Sequence, residues 1–156
     1  MKLAIIGTGN MGKAILKGVI ASGLMDAKDI NVCDVRKEAV DAVCDELGTN
    51  GYTSASEAVT DCDYVLMAVK PQHFDNALAG IVSSLKDSAI VLSIAAAVTT
   101  TRISGILGEG RKFVRIMPNT PVQVGEGMIE YCSYNTTEID LTDFKDIMKY
   151  SGVIDE

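Results

Sequence analysis

Tryptophan is absent from this chain, and only 3 phenylalanines, 5 tyrosines and 3 prolines are present. A core with so few large rings must be built from Ala, Val, Ile, Leu and Met, a usage that suits close packing of helices on a sheet. Cations are also in short supply, with 14 Lys and Arg against 21 Asp and Glu and a formal charge of -7. That balance excludes a phosphate-tracking nucleic-acid surface, which needs clustered Lys and Arg. A single cofactor phosphate needs less, because one or two cations and some backbone N–H groups suffice. There is one histidine, and the four cysteines Cys33, Cys44, Cys62 and Cys132 form no C-x-x-C pair, so neither a metal site nor a disulfide framework is expected. The cysteines read as small buried hydrophobes in a reducing compartment. No apolar run approaches the ~20 residues that span a bilayer. The opening Met1-Lys2-Leu3-Ala4-Ile5-Ile6 is too short for a secretory signal. A cytoplasmic location with no membrane contact is expected.

What is present points to one soluble domain over residues 1–156, since 47% apolar and 22% charged residues are globular values. Short unbroken apolar runs alternate with stretches of helical period. Leu3-Ala4-Ile5-Ile6, Ile30-Asn31-Val32-Cys33, Tyr64 to Val69, Ala89 to Ile94 and Phe113 to Met117 read as buried strands. Met11, Ile15 and Val19 make a helical stripe ended by Gly23, and Val40, Val43, Cys44 and Leu47 make another ended by Gly48. Ser54-Ala55-Ser56-Glu57 has capping-box spacing. Phe74, Leu78, Ile81, Val82 and Leu85 recur at helical spacing, and a further helix runs from about Thr100 to near Gly108. After Pro121 the pattern loosens, with a strand over 128–134, a helix over 141–150 and a last strand at Val153-Ile154. The alternation predicts an α/β, doubly wound, Rossmann-type, mostly parallel sheet, whose strand ends and loops gather on one ligand-binding edge.

Gly7-Thr8-Gly9-Asn10-Met11-Gly12 fits G-x-G-x-x-G between a strand and a helix. Gly7 permits the tight turn, Gly9 lets backbone approach a pyrophosphate, and Gly12 lets helix and strand pack closely. The helix N-terminus then offers free N–H groups and partial positive charge to the phosphates. Asp34 ends the second strand about 20 residues further on, where an acid accepts from ribose hydroxyls and favours NAD. Arg36, two residues later, instead suits the 2′-phosphate of NADP. The two pull in opposite directions, and NADP or NAD both remain open.

Three later segments each leave a strand: Ala68-Val69-Lys70-Pro71, Ser93-Ile94-Ala95-Ala96 and Met117-Pro118-Asn119-Thr120-Pro121. Small residues such as Ala95 and Ala96 let a flat nicotinamide ring approach the backbone. Val69 and Pro71 pack against a cofactor without mobile charge. Pro118 and Pro121 hold the amide of Asn119 and the hydroxyl of Thr120 for hydrogen bonding. In this order, together with the opening glycine loop, the series resembles the pyrroline-5-carboxylate reductases, the last segment being the most distinctive.

The resemblance implies reduction of 1-pyrroline-5-carboxylate to L-proline with NADPH or NADH, the last step of proline biosynthesis. It implies cofactor contacts at Ile6, Gly7, Thr8, Gly9, Asn10, Met11, Asp34 and Arg36. It implies the same at Ala68, Val69, Lys70, Pro71, Ile94, Ala95 and Ala96, with Asn119 and Thr120 at the nicotinamide end. Lys70 reads as a phosphate, ribose or solvent contact before a proton donor, and no catalytic residue is assigned. The lone His73 is expected to be exposed.

Two departures from the family stand out. Its members continue into a helical domain that builds the dimer and grips the imine, whereas this chain stops at Asp155-Glu156. A fragment that binds cofactor with little turnover is therefore expected, with oligomers only when that domain is supplied. The family usually has glycine where Ala97 stands, and a positive φ there would strain alanine by ~1 kcal/mol or more. The alternatives are a related dehydrogenase of the hydroxy-acid or deazaflavin-linked type, or a non-catalytic dinucleotide-binding module.

Overall fold

The first apolar run forms strand β1 (Leu3–Ile6), buried at every residue, as a strand covered on both faces must be. It belongs to a computed structural model that describes residues 1–119, 121 and 125–156. Helix α1 (Asn10–Ser22) follows the glycine loop and ends on Gly23 in the left-handed conformation. Next come β2 (Ile30–Cys33), α2 (Lys37–Leu47), β3 (Asn50–Tyr52), α3 (Ala55–Val59), β4 (Tyr64–Met67), α4 (Pro71–Ala79) and β5 (Ile90–Ser93). The chain continues through α5 (Thr100–Leu107), β6 (Lys112–Pro118), β7 (Gly127–Tyr134), α6 (Glu138–Met148) and β8 (Gly152–Asp155).

The strands form one sheet in the order β3-β2-β1-β4-β5-β6-β7-β8. All neighbours from β3 through β6 are parallel. β7 runs antiparallel to β6, with β8 parallel to β7. This is the expected doubly wound, mostly parallel α/β architecture. The order doubles back between β1 and β4, so a crevice opens where the loops after those strands diverge.

Strand alternation splits the core in two. Leu3, Ile5 and Leu66 face Ile15, Leu16 and Val19 of α1 together with Phe144 and Ile147 of α6. Ala4, Ile6, Val65 and Met67 face Phe74 and Leu78 of α4 together with Ile103 and Leu107 of α5. Each fully buried Leu, Ile or Phe contributes about 1.5–3 kcal/mol relative to exposure.

Four local expectations need revision. β3 carries almost no apolar signal, yet pairs in parallel with β2 through Asn31–Asn50, Val32–Gly51 and Cys33–Tyr52. A Cβ at Gly51 would lie 2.7 Å from Val40 and 2.9 Å from Cys44, so glycine lets α2 sit down on this edge strand. The Ser54 capping box does not form. Ser54 starts α3 without a side-chain cap, its hydroxyl lying 3.2 Å from that of Ser56. The box that does form is Thr137 with Asp140, at the start of α6, which begins earlier than the 141–150 periodicity indicates. Finally, the region after Pro121 is more regular than its pattern suggests, since β7 makes a full ladder with β6 and Tyr134 stacks on Phe113 at 4.7 Å. Cys33 and Cys62 are buried, Cys44 and Cys132 half-buried, and all four are free thiols. Among the described residues, no helix is long and apolar enough to cross a membrane.

Candidate functional site

Because β1, β2, β4, β5 and β6 are parallel, their carboxyl ends deliver Gly7, Asp34, Ala68, Ile94 and Asn119 to one rim of the sheet. A cleft of about 640 Å³ opens there. Ile6, Gly7, Thr8 and Gly9 form its floor, Asp34 and Arg36 one lip, and Ala68, Val69 and Lys70 the facing wall. Asn10, Met11 and Pro71 begin the helices on either side of it. Ile94, Ala95, Ala96 and Asn119 lie at the ends of β5 and β6, outside the cleft lining. Thr120 falls outside the described residues.

The three glycines of the loop sit in three different steric environments. Gly7 has φ +108, and a Cβ there would lie 2.6 Å from the Ala68 carbonyl oxygen. A Cβ on Gly12 would lie 3.0 Å from both the Ala68 Cβ and the Gly7 carbonyl oxygen. Among the described residues, nothing comes within 4 Å of a Cβ at Gly9, so that glycine faces open space and not the packing below. No side chain caps α1, and no acid occupies its first turn. Its first N–H groups and dipole are therefore offered to the cleft. An open concavity over a glycine at an uncapped helix N-terminus fits a dinucleotide pyrophosphate.

The loop is sewn to the end of β2. The Gly7 N–H donates to the Cys33 carbonyl at 2.8 Å. Thr8 donates to Asp34 Oδ2 twice, from its N–H at 3.2 Å and its hydroxyl at 2.7 Å. Arg36 donates to Oδ1 from its N–H at 3.0 Å and its Nε at 3.4 Å. Burial pushes the Asp34 carboxyl up, but these Arg36 and Thr8 hydrogen bonds outweigh it and hold the group below the ordinary carboxylate value. Burial, and then the Asp34 charge, raise the Cys33 thiol to about 11, so it stays protonated and unreactive at neutral pH.

Several lining residues have no signal in the sequence. Val35, 90% exposed, stands on the lip as an apolar platform. Thr53 and Ala55 enter beneath it, from just beyond β3. Their place depends on β3, the strand that apolar patterning does not reveal. His73, Asn76 and Ala77 come from the first turns of α4. His73 is exposed there, as expected. Lys70 is the N-cap of α4, with Pro71 in the first turn.

At the far end of the rim, Ala97 adopts φ 62, so the positive φ that makes glycine preferable there is present. Ala95 is buried and Ala96 exposed. Asn119 Oδ1 accepts the Met128 N–H at 2.9 Å, which ties the end of β6 to the start of β7 and leaves the amide NH₂ as its remaining donor. Arg115 Nε donates to the Val98 carbonyl at 2.7 Å, bracing the segment between β5 and α5 that carries Ala97.

Residues 2–97 match the family model described as NADP oxidoreductase, coenzyme F420-dependent. The chain belongs to this family. Within it, the similarity to pyrroline-5-carboxylate reductases is strong. The enzyme of that name from Escherichia coli K12 is 44% identical over 127 residues, covering 81% of this chain and 47% of the relative. The solved Coxiella burnetii pyrroline-5-carboxylate reductase superposes with a TM-score of 0.93 at 28% identity, over 98% of this chain and 57% of that one. The Plasmodium falciparum pyrroline carboxylate reductase with NADP bound gives 0.88 at 29% identity, over 100% of this chain and 57% of that one. The family member described here thus spans about half the length of the curated relatives it matches.

Proposed function

We propose that this chain is the dinucleotide-binding part of a pyrroline-5-carboxylate reductase, which reduces 1-pyrroline-5-carboxylate to L-proline with NADPH or NADH. The observation that carries the reading is the glycine loop, whose three glycines meet three different spatial requirements beneath an open cleft. The 44% identity to the Escherichia coli enzyme supports the same reaction, and the Met117 to Pro121 segment favours it over a hydroxy-acid dehydrogenase.

In this reading the N–H groups of Gly9, Asn10 and Met11 hold the pyrophosphate, and Val35, Ala55 and Ala77 give the adenine an apolar seat. Ala68, Val69, Lys70 and Pro71 wall the central part. Ile94, Ala95, Ala96, Asn119 and Thr120 meet the nicotinamide. The bound nicotinamide supplies the hydride. The chain's own contribution is to fix the ring's position and exclude water from its face. No proton donor to the imine is assigned, and Lys70 takes a phosphate or ribose contact. A cytoplasmic location and assembly through a helical domain like that of the family complete the proposal.

Titration with NADP and NAD, followed by thermal shift and calorimetry, tests the site. At least one dinucleotide should raise the melting temperature in proportion to ln(1 + [L]/Kd). No shift from either at millimolar concentration sinks the assignment. A chimera joining this chain to the unmatched remainder of the Escherichia coli relative tests the reaction, and should oxidise NADPH or NADH only when pyrroline-5-carboxylate is added.

A further inference from the structure

Resting on the reading that the β5–α5 loop and the segment after Met117 meet the nicotinamide, we infer that Arg115 is a positioning residue that sets the spacing of these two walls, with Ser93 assisting beneath the first. The sheet face under α4 and α5 is apolar along β5 and β6, where it carries Val91 and Phe113. Its last places on those strands are not. Ser93 and Arg115 stand opposite each other in the β5–β6 register, the serine fully buried and the arginine half-buried. Both bond to the backbone of the loop above them. Ser93 Oγ accepts the Ala95 N–H at a long 3.4 Å, and Arg115 Nε donates to the Val98 carbonyl at 2.7 Å. These two bonds bracket Ala96 and Ala97, the exposed part of the loop, where Ala97 keeps φ 62. A left-handed alanine persists only where its surroundings hold it. Arg115 also reaches the second wall, donating from Nη1 to Met117 Sδ at 3.2 Å. One guanidinium therefore touches both segments.

Stability alone does not account for an arginine at this place. Among the described residues, no carboxylate pairs with it. Its acceptors are one carbonyl and one thioether, the latter weak. Methionine or leucine would cover the sheet as well, without the desolvation that a half-buried cation without an anion suffers. What the guanidinium adds is geometry. Its planar, pre-organised donors fix the loop and the Met117 segment at one separation, whereas apolar contact alone would let them slide. A hydride donor held between such walls depends on that separation, since a misplacement of about 1 Å can cost roughly a hundredfold in rate.

Titration of this chain with NADPH and NADH by fluorescence tests the inference, set beside calorimetry with 2′-phospho-ADP-ribose and ADP-ribose, which lack the nicotinamide ring. In the wild type the better reduced dinucleotide should bind about threefold or more tighter than its ringless counterpart, with its nicotinamide emission enhanced on binding. Arg115→Met, which keeps an apolar stem over the sheet, should erase most of that advantage and of the emission change. The ringless ligands should keep their affinity within about twofold, as a role confined to the ring requires. Ser93→Ala should act in the same direction but less, because it removes the longer bond. Arg115→Lys should resemble Arg115→Met, since a compact ammonium lacks the fork that reaches both segments, and it carries the test if the methionine variant does not fold. A purely structural arginine would instead lower the denaturation midpoint and leave the advantage and the emission as they were, which overturns the inference. Equal weakening of both kinds of ligand overturns it too, as does a wild type in which the ring adds no affinity and its emission does not change. If none of the four ligands binds, the site reading itself has failed, whereas binding of the ringless pair keeps that reading whatever becomes of Arg115.

Discussion

Gly7 and Ala68 meet at the point where the sheet's strand order doubles back: a Cβ on Gly7 would lie 2.6 Å from the Ala68 carbonyl oxygen and 2.8 Å from its carbonyl carbon. Both contacts are with backbone, which cannot swing aside as a side-chain tip would. Gly7 also sits at φ +108, where L-residues are strained. Gly7→Ala should therefore cost about 3 kcal/mol or more by combining overpacking with backbone strain. Urea denaturation would show it as a lower midpoint, and dinucleotide binding should be lost as well.

Gly9→Ala should behave in the opposite way. Its backbone has φ -68 and ψ 175, which any residue adopts, and none of the described residues lies within 4 Å of the new methyl group. Stability should stay within about 0.5 kcal/mol of wild type, as for ordinary surface substitutions. Under the proposed site, dinucleotide affinity should still fall tenfold or more, because the methyl group enters the space assigned to the pyrophosphate. A Gly9→Ala protein that binds cofactor normally would refute the cradle.

Ala97→Gly should stabilise the fold. At φ 62 alanine carries a left-handed penalty of about 1–2 kcal/mol, partly offset by the larger unfolded-state entropy of glycine, about 0.4–1 kcal/mol. A net gain of roughly 0.5–1 kcal/mol is expected from these two terms. The chemical-denaturation midpoint would rise with an unchanged slope. An unchanged or lower midpoint would count against the strain.

Acid should weaken the fold through three aspartates. Burial raises Asp34, Asp63 and Asp140, yet hydrogen bonds and ion pairs more than reverse this. Arg36 and Thr8 act on Asp34, Lys86 and the Lys2 N–H on Asp63, and Lys112 and Thr137 on Asp140. A folded-state pKa below the unfolded value of 3.8 means the unfolded chain binds more protons through that window. The stabilisation is thus complete above the unfolded value and disappears as pH falls through the folded values. Denaturation midpoints should hold from neutrality to about pH 5 and then fall steeply below about pH 4. Asp140→Asn, which breaks the Lys112 pair and weakens the Thr137 box, should lower the neutral midpoint and flatten the acid fall.

How much of this was legible in the residues follows from where the information resides. Leu3–Ile6, Tyr64–Met67 and Ile90–Ser93 announce themselves because burial on both faces leaves no polar interruption. Asn50-Gly51-Tyr52 does not, because an edge strand needs only backbone pairing and room for α2, and glycine supplies the room. Missing that strand also hides Thr53 and Ala55, whose place in the cleft depends on it. Ser54 and Thr137 show how a local signal is settled by its surroundings. The first has the expected Ser-x-x-Glu spacing but makes no cap, whereas the second caps α6 with an aspartate in place of the usual glutamate. The close packing at Gly7 and Gly12 could be read because it is tied to spacing. The shared hydrogen bonds of Asp34 could not, since Thr8 reaches it only through the β1–β2 register.

The turnabout at β7 also confines where chemistry can evolve on this scaffold. The turn leaving β7 opens onto the opposite margin of the sheet, away from Gly9 and Arg36. Drift in that turn therefore tunes how firmly the platform holds together, while the cleft itself is shaped by the turns behind β1, β2 and β4.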